Sequence, residues 1–266
     1  MNLFRLQSIF LKRGHAEILR NFSWQMQSGE NWTLVGPNGS GKSSLASILL
    51  GYTWPTSGII EVMEEKYGEV NLQEIRKRVG IFQPALQSAV EVYHDSMTAY
   101  EIVCTGAEGT LALYQDVLPE LRKKADSLWE KFQKGGILKF PSDRPFSLLS
   151  SGEKRKVLLL RTLLNDPAFI ILDEPYESLD IPSRLEMEHT FEYLADQEKH
   201  SILLVVHRIE EIPSFITHTL LLKNGSTLHS GRIEDVLTSE NLSELYETPL
   251  HVEKKYNRFI CVPVRQ

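Results

Sequence analysis

The spacing of apolar residues changes along the chain, and each pattern predicts a different kind of structure. Apolar and polar residues alternate over Leu3–Phe10 and Ile18–Met26, with a polar turn between them. This alternation predicts antiparallel strands joined by hairpins. After Gly29, short apolar runs alternate with helical periods, which predicts a mostly parallel sheet covered by helices on both faces.

The alternating region gives a set of predicted elements. The predicted strands are Trp32–Val35, Ile59–Met63, Val79–Phe82, Phe169–Leu172, Ile202–Val206 and Thr219–Leu222. The predicted helices are Lys42–Leu50, Leu72–Arg78, Ser151–Leu164 and Arg184–Gln197. From Ile233 onward the pattern predicts short helices and a tail, so residues from about 237 to 266 are interpreted as a C-terminal extension.

Residues from about 84 to 150 differ from the rest of the chain. Helical periods occur around Met97–Gly106 and Leu118–Phe132, no run is typical of a buried strand, and turn residues such as Pro84 and Pro145 mark the edges. We expect a mostly helical insertion in the α/β core. No internal repeat or flexible linker interrupts residues 1–266, which predicts a single domain.

Composition limits the classes of function. The 266 residues are 42% hydrophobic, enough for a substantial core, and carry a formal charge of -6, which argues against binding to duplex nucleic acid. The two cysteines, Cys104 and Cys261, form no metal-binding pattern and fit a reducing compartment. The N-terminus has no signal-peptide pattern, and the longest apolar runs fall short of the roughly 20 residues of a membrane span. We therefore expect a cytoplasmic protein that reaches the inner face of a membrane only through a partner.

The most specific chemical motif is the run GPNGSGKS, which lies between a predicted strand and a predicted helix. Glycines allow backbone N–H groups to surround a phosphate, and the following helix points its positive end at the same anion. The predicted nucleotide-binding residues are Gly36, Pro37, Asn38, Gly39, Ser40, Gly41, Lys42, Ser43 and Ser44. Lys42 would span the β- and γ-phosphates, and the Ser43 hydroxyl would bind Mg²⁺. The expected core is that of a P-loop NTPase.

A second motif supplies two acids at the end of a strand. The buried run Phe169–Leu172 is followed by Asp173 and Glu174, and ligands of open α/β sheets bind at the carboxyl ends of the strands. We expect Asp173 to hold Mg²⁺ and Glu174 to act as the general base on the attacking water.

A third motif, Leu149–Glu153, precedes a predicted helix. Ser150, with the N–H groups of Ser151 and Gly152, could form an anion-binding surface. The same residues are also consistent with a plain helix cap, since Ser150 and Glu153 match a capping box. By itself this motif favours the cap.

The order of the motifs resembles that of the ATP-binding-cassette (ABC) ATPases from about Leu3 to Val236. The matching motifs are GPNGSGKSS (36–44), Gln83 in IFQP, LSSGE (149–153), FIILDEP (169–175), SLD (178–180) and His207 in LVVHR. The resemblance implies ATP and Mg²⁺ as ligands and a dimer of two cassettes around two ATP molecules. It implies that Gln83 contacts Mg²⁺ and the attacking water, that His207 hydrogen-bonds the γ-phosphate and orients Glu174, and that Asp180 lies at the dimer seam.

In this resemblance the residues Ser150, Ser151, Gly152 and Glu153 would contact the γ-phosphate held by the other cassette. Two of them depart from the family pattern, which usually has glycine at Ser151 and glutamine at Glu153. No aromatic residue stands where the family stacks adenine, which leaves Arg13 or Phe10 as candidates.

The resemblance leaves two functions open. The chain could be the ATP-binding subunit of a membrane transporter, docked on integral-membrane permease subunits through residues around 83–105. It could instead be a soluble ABC ATPase that acts in repair, on ribosomes or in assembly. Its segments 29–32 and 238–241 look similar to a small branch of molybdate-type and photorepair-type cassettes, whose transport role is not assured. A P-loop kinase or GTPase would not explain the motif at Ser150 or His207.

Overall fold

The structure of the protein is a computed structural model that describes residues 1–93, 96–107 and 118–264. Its strands are β1 (Asn2–Arg13), β2 (Ala16–Gln27), β3 (Trp32–Val35), β4 (Ser57–Val62), β5 (Glu65–Lys66), β6 (Val79–Phe82), β7 (Phe169–Asp173), β8 (Ser201–Val206), β9 (His218–Lys223), β10 (Ser226–Arg232), β11 (Leu250–Lys255) and β12 (Arg258–Pro263). Its helices are α1 (Lys42–Leu49), α2 (Leu72–Arg78), α3 (Ala85–Tyr93), α4 (Ala99–Cys104), α5 (Pro119–Lys134), α6 (Ser151–Leu163), α7 (Ile181–Asp196), α8 (Ile233–Val236) and α9 (Ser239–Tyr246).

A six-stranded sheet forms the centre of the fold, in the order β10-β9-β3-β8-β7-β6. The strands from β9 to β6 are parallel, and β10 is an antiparallel edge strand. Every residue of β3, β7 and β8 is buried, as expected for parallel strands covered on both faces. The mostly parallel α/β core predicted from the sequence is confirmed.

A second, antiparallel sheet with the order β2-β1-β4-β5 covers one side of the core. Aromatic rings join the two sheets: Phe4 lies 5.7 Å from Phe169, and Trp24 meets Trp32 edge-on at 5.6 Å between ring centroids. The predicted N-terminal antiparallel subdomain is therefore present. It also recruits β4, which pairs with β1 instead of joining the parallel sheet.

Helices α3, α4 and α5 lie in the segment predicted as a helical insertion, of which residues 94–95 and 108–117 fall outside the described chain. The segment closes on itself where the Phe146 N–H donates to the Met97 carbonyl at 2.8 Å. Phe132 of α5 packs edge-on against Tyr193 of α7 at 5.7 Å. The helical layer therefore shares its hydrophobic core with the central sheet.

The prediction of only short helices and a tail after Ile233 is wrong in its last part. Helices α8 and α9 are present, but β11 and β12 then form an antiparallel hairpin. Its two turn residues, Tyr256 and Asn257, have φ values of +51° and +59°. Such left-handed two-residue turns favour Asn-Gly or Asp-Gly, and the Tyr-Asn pair here does not carry that signal.

A turn at Asn224-Gly225 links the N-terminal sheet to the core. Gly225 has φ +77°, and a Cβ atom there would lie 2.3 Å from the Ile18 carbonyl oxygen. Its N–H donates to the Ser40 carbonyl at 3.1 Å, and its own carbonyl accepts from the Arg20 N–H at 2.9 Å. The turn leaves no space for a side chain.

We expect Gly225→Ala to lower the free energy of unfolding by about 3 kcal/mol, because it adds a steric clash to the strain of a left-handed residue. Gly14→Ala is the matched control: Gly14 has φ +58° with nothing within 4 Å of its Cβ position, so strain alone should cost about 1 kcal/mol. Urea unfolding of both variants measures the difference. Equal losses in the free energy of unfolding would show that the clash with the Ile18 carbonyl oxygen adds nothing to the backbone strain.

Candidate functional site

The register of the parallel strands brings the candidate residues to one edge of the sheet. The residues paired near the strand ends are Val35 with Val206, Asp173 with Val205, and Phe82 with Leu172. The next residues along each strand are Gly36, Gln83, Glu174 and His207. They therefore emerge side by side at the carboxyl end of the sheet, where such folds bind ligands.

The loop after β3 wraps around the start of α1. Gly39 has φ +78°, and Gly41, at the N-terminal cap of α1, has φ +113°. The amine of Lys42 is buried against the loop and donates to the carbonyls of Gly36 at 2.7 Å and Pro37 at 3.1 Å. Burial lowers the pKa of Lys42, and the charges of Glu174 and Asp173 oppose that shift.

Neighbouring segments support this loop from outside the motif. A Cβ at Gly36 would lie 2.4 Å from the Leu222 carbonyl oxygen, and one at Gly41 would lie 3.0 Å from Leu19. Ile18, which precedes Leu19 in β2, lines the pocket over the loop. Sequence reasoning missed Ile18, because no local pattern shows that a hairpin 20 residues upstream folds onto the loop.

Asp173 is buried beside Gln83. Its Oδ2 accepts a hydrogen bond from Gln83 Nε2 at 2.9 Å, while its Oδ1 has no hydrogen-bond partner among the described residues. Burial raises the pKa of Asp173, and the hydrogen bond from Gln83 lowers it. The structure thus brings together these two predicted magnesium ligands.

Glu174 and His207 form a contact between Glu174 Oε1 and His207 Nε2. The Glu174 N–H donates to the Val205 carbonyl at 3.0 Å, and its φ of +52° is uncommon for a residue with a side chain. Both side chains line an open pocket of about 390 Å³ together with the loop. The pocket residues are Ile18, Asn38, Gly39, Gly41, Lys42, Ser43, Ser44, Glu174 and His207. Arg13 and Phe10, the candidates for adenine stacking, are not among them.

The residues of the third motif lie at the start of α6. Ser150 and Glu153 form the capping box in both directions, with the Ser150 N–H donating to Glu153 Oε2 at 2.8 Å. A Cβ at Gly152 would lie 3.4 Å from Ser183, and Asp180 caps α7 by accepting from the Ser183 N–H at 2.9 Å. The two helix starts are therefore neighbours. The residues lining the 390 Å³ pocket include neither of them.

The residues at the sheet edge fit a triphosphate with a hard cation. Ser40 Oγ and Asp173 Oδ1 are buried without a partner in the described chain, and buried polar atoms of this kind are normally satisfied. Oxygen atoms of Ser43, Gln83 and Asp173 are of the type that Mg²⁺ binds, with phosphates and water completing its shell. Residues 1–93, 96–107 and 118–264 contain no cluster of three or more His, Cys, Asp or Glu that could hold a metal alone.

The fold and this pocket define a P-loop nucleoside triphosphatase. The family model described as "ABC transporter" matches residues 19–177. The chain is 37% identical over 252 residues to the uncharacterized ABC transporter ATP-binding protein YlmA of Bacillus subtilis, covering 94% of this chain and 93% of YlmA. It is 33% identical over 205 residues to the ABC transporter ATP-binding protein ModF of Escherichia coli, covering 76% of this chain and 41% of ModF.

Among solved structures, the fold matches the dimeric cassette MJ0796 bound to ADP and Pi, with a TM-score of 0.65 at 22% identity over 86% of this chain and 98% of that one. The chain therefore belongs to the ABC transporter family and is an ATP-hydrolysing cassette of that family. None of its described helices combines the length and apolar character needed to cross a membrane.

We expect Asp173→Asn to raise the free energy of unfolding of the nucleotide-free protein at pH 7 by about 1 kcal/mol. The physical reason is that burial raises the pKa of Asp173, so its charged form costs stability that a neutral amide does not. Urea unfolding measures the change, and ATPase activity should be lost in the same variant.

Asp180→Asn is the control for that substitution. Asp180 is an exposed helix cap, and asparagine caps as well as aspartate, so stability should not change. A less stable Asp173→Asn protein would contradict the desolvation argument.

Proposed function

We propose that this cassette binds and hydrolyses ATP with Mg²⁺ as one half of a cassette dimer, and that it powers a membrane transporter as its ATP-binding subunit. One observation carries the proposal. Lys42, Glu174 and His207 share one pocket, whereas the residues from Ser150 to Glu153 lie outside it. The pocket contains a base and a phosphate loop, and the second anion-binding surface is left for another chain.

The hydrolytic step follows from the positions of these side chains. Lys42 and the N–H groups of the loop hold the β- and γ-phosphates, and Glu174 takes the proton of the attacking water. His207 holds Glu174 through its Nε2 contact and so fixes the direction of that carboxylate. Ser43, Asp173 and Gln83 would hold Mg²⁺, which neutralises charge on the phosphates.

Exposed apolar side chains near the two helix starts support dimerisation. Leu148 is 65% exposed, Ile181 is 76% exposed and Leu185 is 42% exposed. Ile181 follows Asp180 directly, and Leu148 lies two residues before Ser150. A group of exposed apolar side chains is typical of a protein–protein interaction site. The related cassette MJ0796 is described as dimeric.

A groove beside Gln83 supports docking on a permease. It has a volume of about 270 Å³ and is lined by Tyr52, Gln83, Leu86 and Arg161 among others. Tyr52 is 64% exposed, and the nearby Trp54 is 55% exposed. A partner segment in this groove would contact the residue that binds Asp173, and would place the cassette at the inner face of a membrane. The names of YlmA and ModF agree with this role.

We expect Glu174→Gln to lower kcat for ATP hydrolysis at least about 100-fold, because the general base is removed. The same variant should dimerise on addition of ATP, since it binds ATP but cannot reopen by hydrolysis. Sedimentation velocity with and without ATP measures the dimer.

The control adds Lys42→Ala to Glu174→Gln, which removes the phosphate contact and should leave the protein monomeric with ATP. If Glu174→Gln alone stays monomeric at saturating ATP, the dimer mechanism is wrong.

If a multi-span membrane protein is encoded beside this gene, co-purification with it tests the transport role. After co-expression and extraction of the membranes with detergent, the cassette and the membrane protein should co-purify. Tyr52→Ala should abolish that association because Tyr52 lines the docking groove. Tyr256→Ala, at an 89% exposed position outside the groove, should have no effect. Failure to co-purify, or the absence of such a neighbour, would favour the soluble role.

A further inference from the structure

The C-terminal extension lies against the segment that carries His207. Tyr246, the last residue of α9, donates its hydroxyl hydrogen to the His207 carbonyl oxygen at 3.3 Å. Three residues beyond His207, Glu210 Oε1 accepts a hydrogen bond from the Cys261 N–H of β12 at 3.1 Å. The extension thus contacts this short segment at both ends.

The extension is itself fixed in place. Ser239 and Ser243 of α9 accept hydrogen bonds from the N–H groups of Val252 at 2.8 Å and Leu250 at 2.9 Å, which join the helix to the hairpin. Arg258 of β12 donates to Glu188 of α7 at 2.6 Å, with the Glu188 side chain only 11% exposed. The hairpin therefore bridges α7 to the loop that follows β8.

Packing holds the segment at Ile209, which is 3% exposed, but it does not enclose His207. A pocket of about 600 Å³ opens between the segment and the extension, lined by His207, Arg208, Tyr246, Leu250 and others. The His207 side chain is 40% exposed and is held on its far side by Glu174. The hydrogen bond from Tyr246 crosses this incompletely filled space and adds a directional constraint on the His207 backbone.

We propose that Tyr246 is a positioning residue for ATP hydrolysis: its hydrogen bond to the His207 carbonyl fixes the backbone from which the imidazole orients Glu174. The inference rests on the proposed role of His207. Burial raises the pKa of Tyr246, which keeps the hydroxyl protonated as a donor at neutral pH. Tyr246 does not line the phosphate pocket and contacts only the backbone of His207 there, so its effect should fall on the hydrolytic step.

Tyr246→Phe removes the hydroxyl and keeps the ring that packs against the core. We expect kcat to fall about three- to tenfold, the effect of one lost hydrogen bond, with KM for ATP unchanged and the melting temperature lowered by at most about 4 °C. Tyr256→Phe is the matched control: this tyrosine lies in the same extension, is 89% exposed and makes no hydrogen bond to the His207 segment. Its kcat should equal that of the natural protein.

A second pair of variants tests the contact between the C-terminal hairpin and α7. Arg258→Gln weakens the bond to Glu188 and should also lower kcat, whereas Lys254→Gln removes an exposed ion pair with Glu234 and should leave kcat unchanged.

The double variant Glu174→Gln with Tyr246→Phe should still form an ATP-dependent dimer. This result would separate a positioning role of Tyr246 from a loss of ATP binding.

An unchanged kcat in Tyr246→Phe would overturn the inference and leave the proposed function standing. Loss of the ATP-dependent dimer in the combined variant would also overturn it, because the extension would then act on binding. If the natural protein hydrolyses no ATP, the proposed function itself fails.

Discussion

The site depends on the register of the central parallel strands. A shift of β7 by one residue against β8 would move Asp173 and Glu174 along the sheet edge and turn each side chain to the opposite face. Every residue of β3, β7 and β8 is buried, so such a shift would also exchange residues between the two faces of the core. The packing that buries these strands on both faces is thus the same constraint that aligns the candidate catalytic groups.

This alignment places polar groups at positions where the folded chain alone does not satisfy their hydrogen bonds. The buried Asp173 keeps one oxygen without a partner in the described residues, and Glu174 holds a left-handed backbone conformation. Buried charge and backbone strain both cost stability, by roughly 1–3 kcal/mol each. A nucleotide and a cation would supply the missing partners, so binding should return part of that cost.

What the sequence predicted well was local. The phosphate loop and the buried strands carry their signals in consecutive residues, and the resemblance to the family rested on the order of such signals. Ile18 was missed because its contact with the loop joins two sheets. The hairpin of β11 and β12 was missed because Tyr256-Asn257 is not the Asn-Gly or Asp-Gly pair that marks such a turn, although Leu250 and Val252 alternate with polar His251 and Glu253 as strand residues do. The motif at Ser150, which by itself favoured a helix cap, does form a capping box in this chain.

Capping and anion binding at Ser150 do not exclude each other. The capping box uses the Ser150 N–H and the N–H of Glu153, and it leaves the N–H groups of Ser151 and Gly152 outside it at the positive end of α6. A glutamate in this position adds a negative charge beside an anion site, which would weaken phosphate binding. Arg144 lies 3.5 Å from the Glu153 carboxylate and also donates to the Leu148 carbonyl. The positive charge of Arg144 offsets the negative charge of Glu153. The glutamate that departs from the family pattern is therefore neutralised by a residue of the same chain.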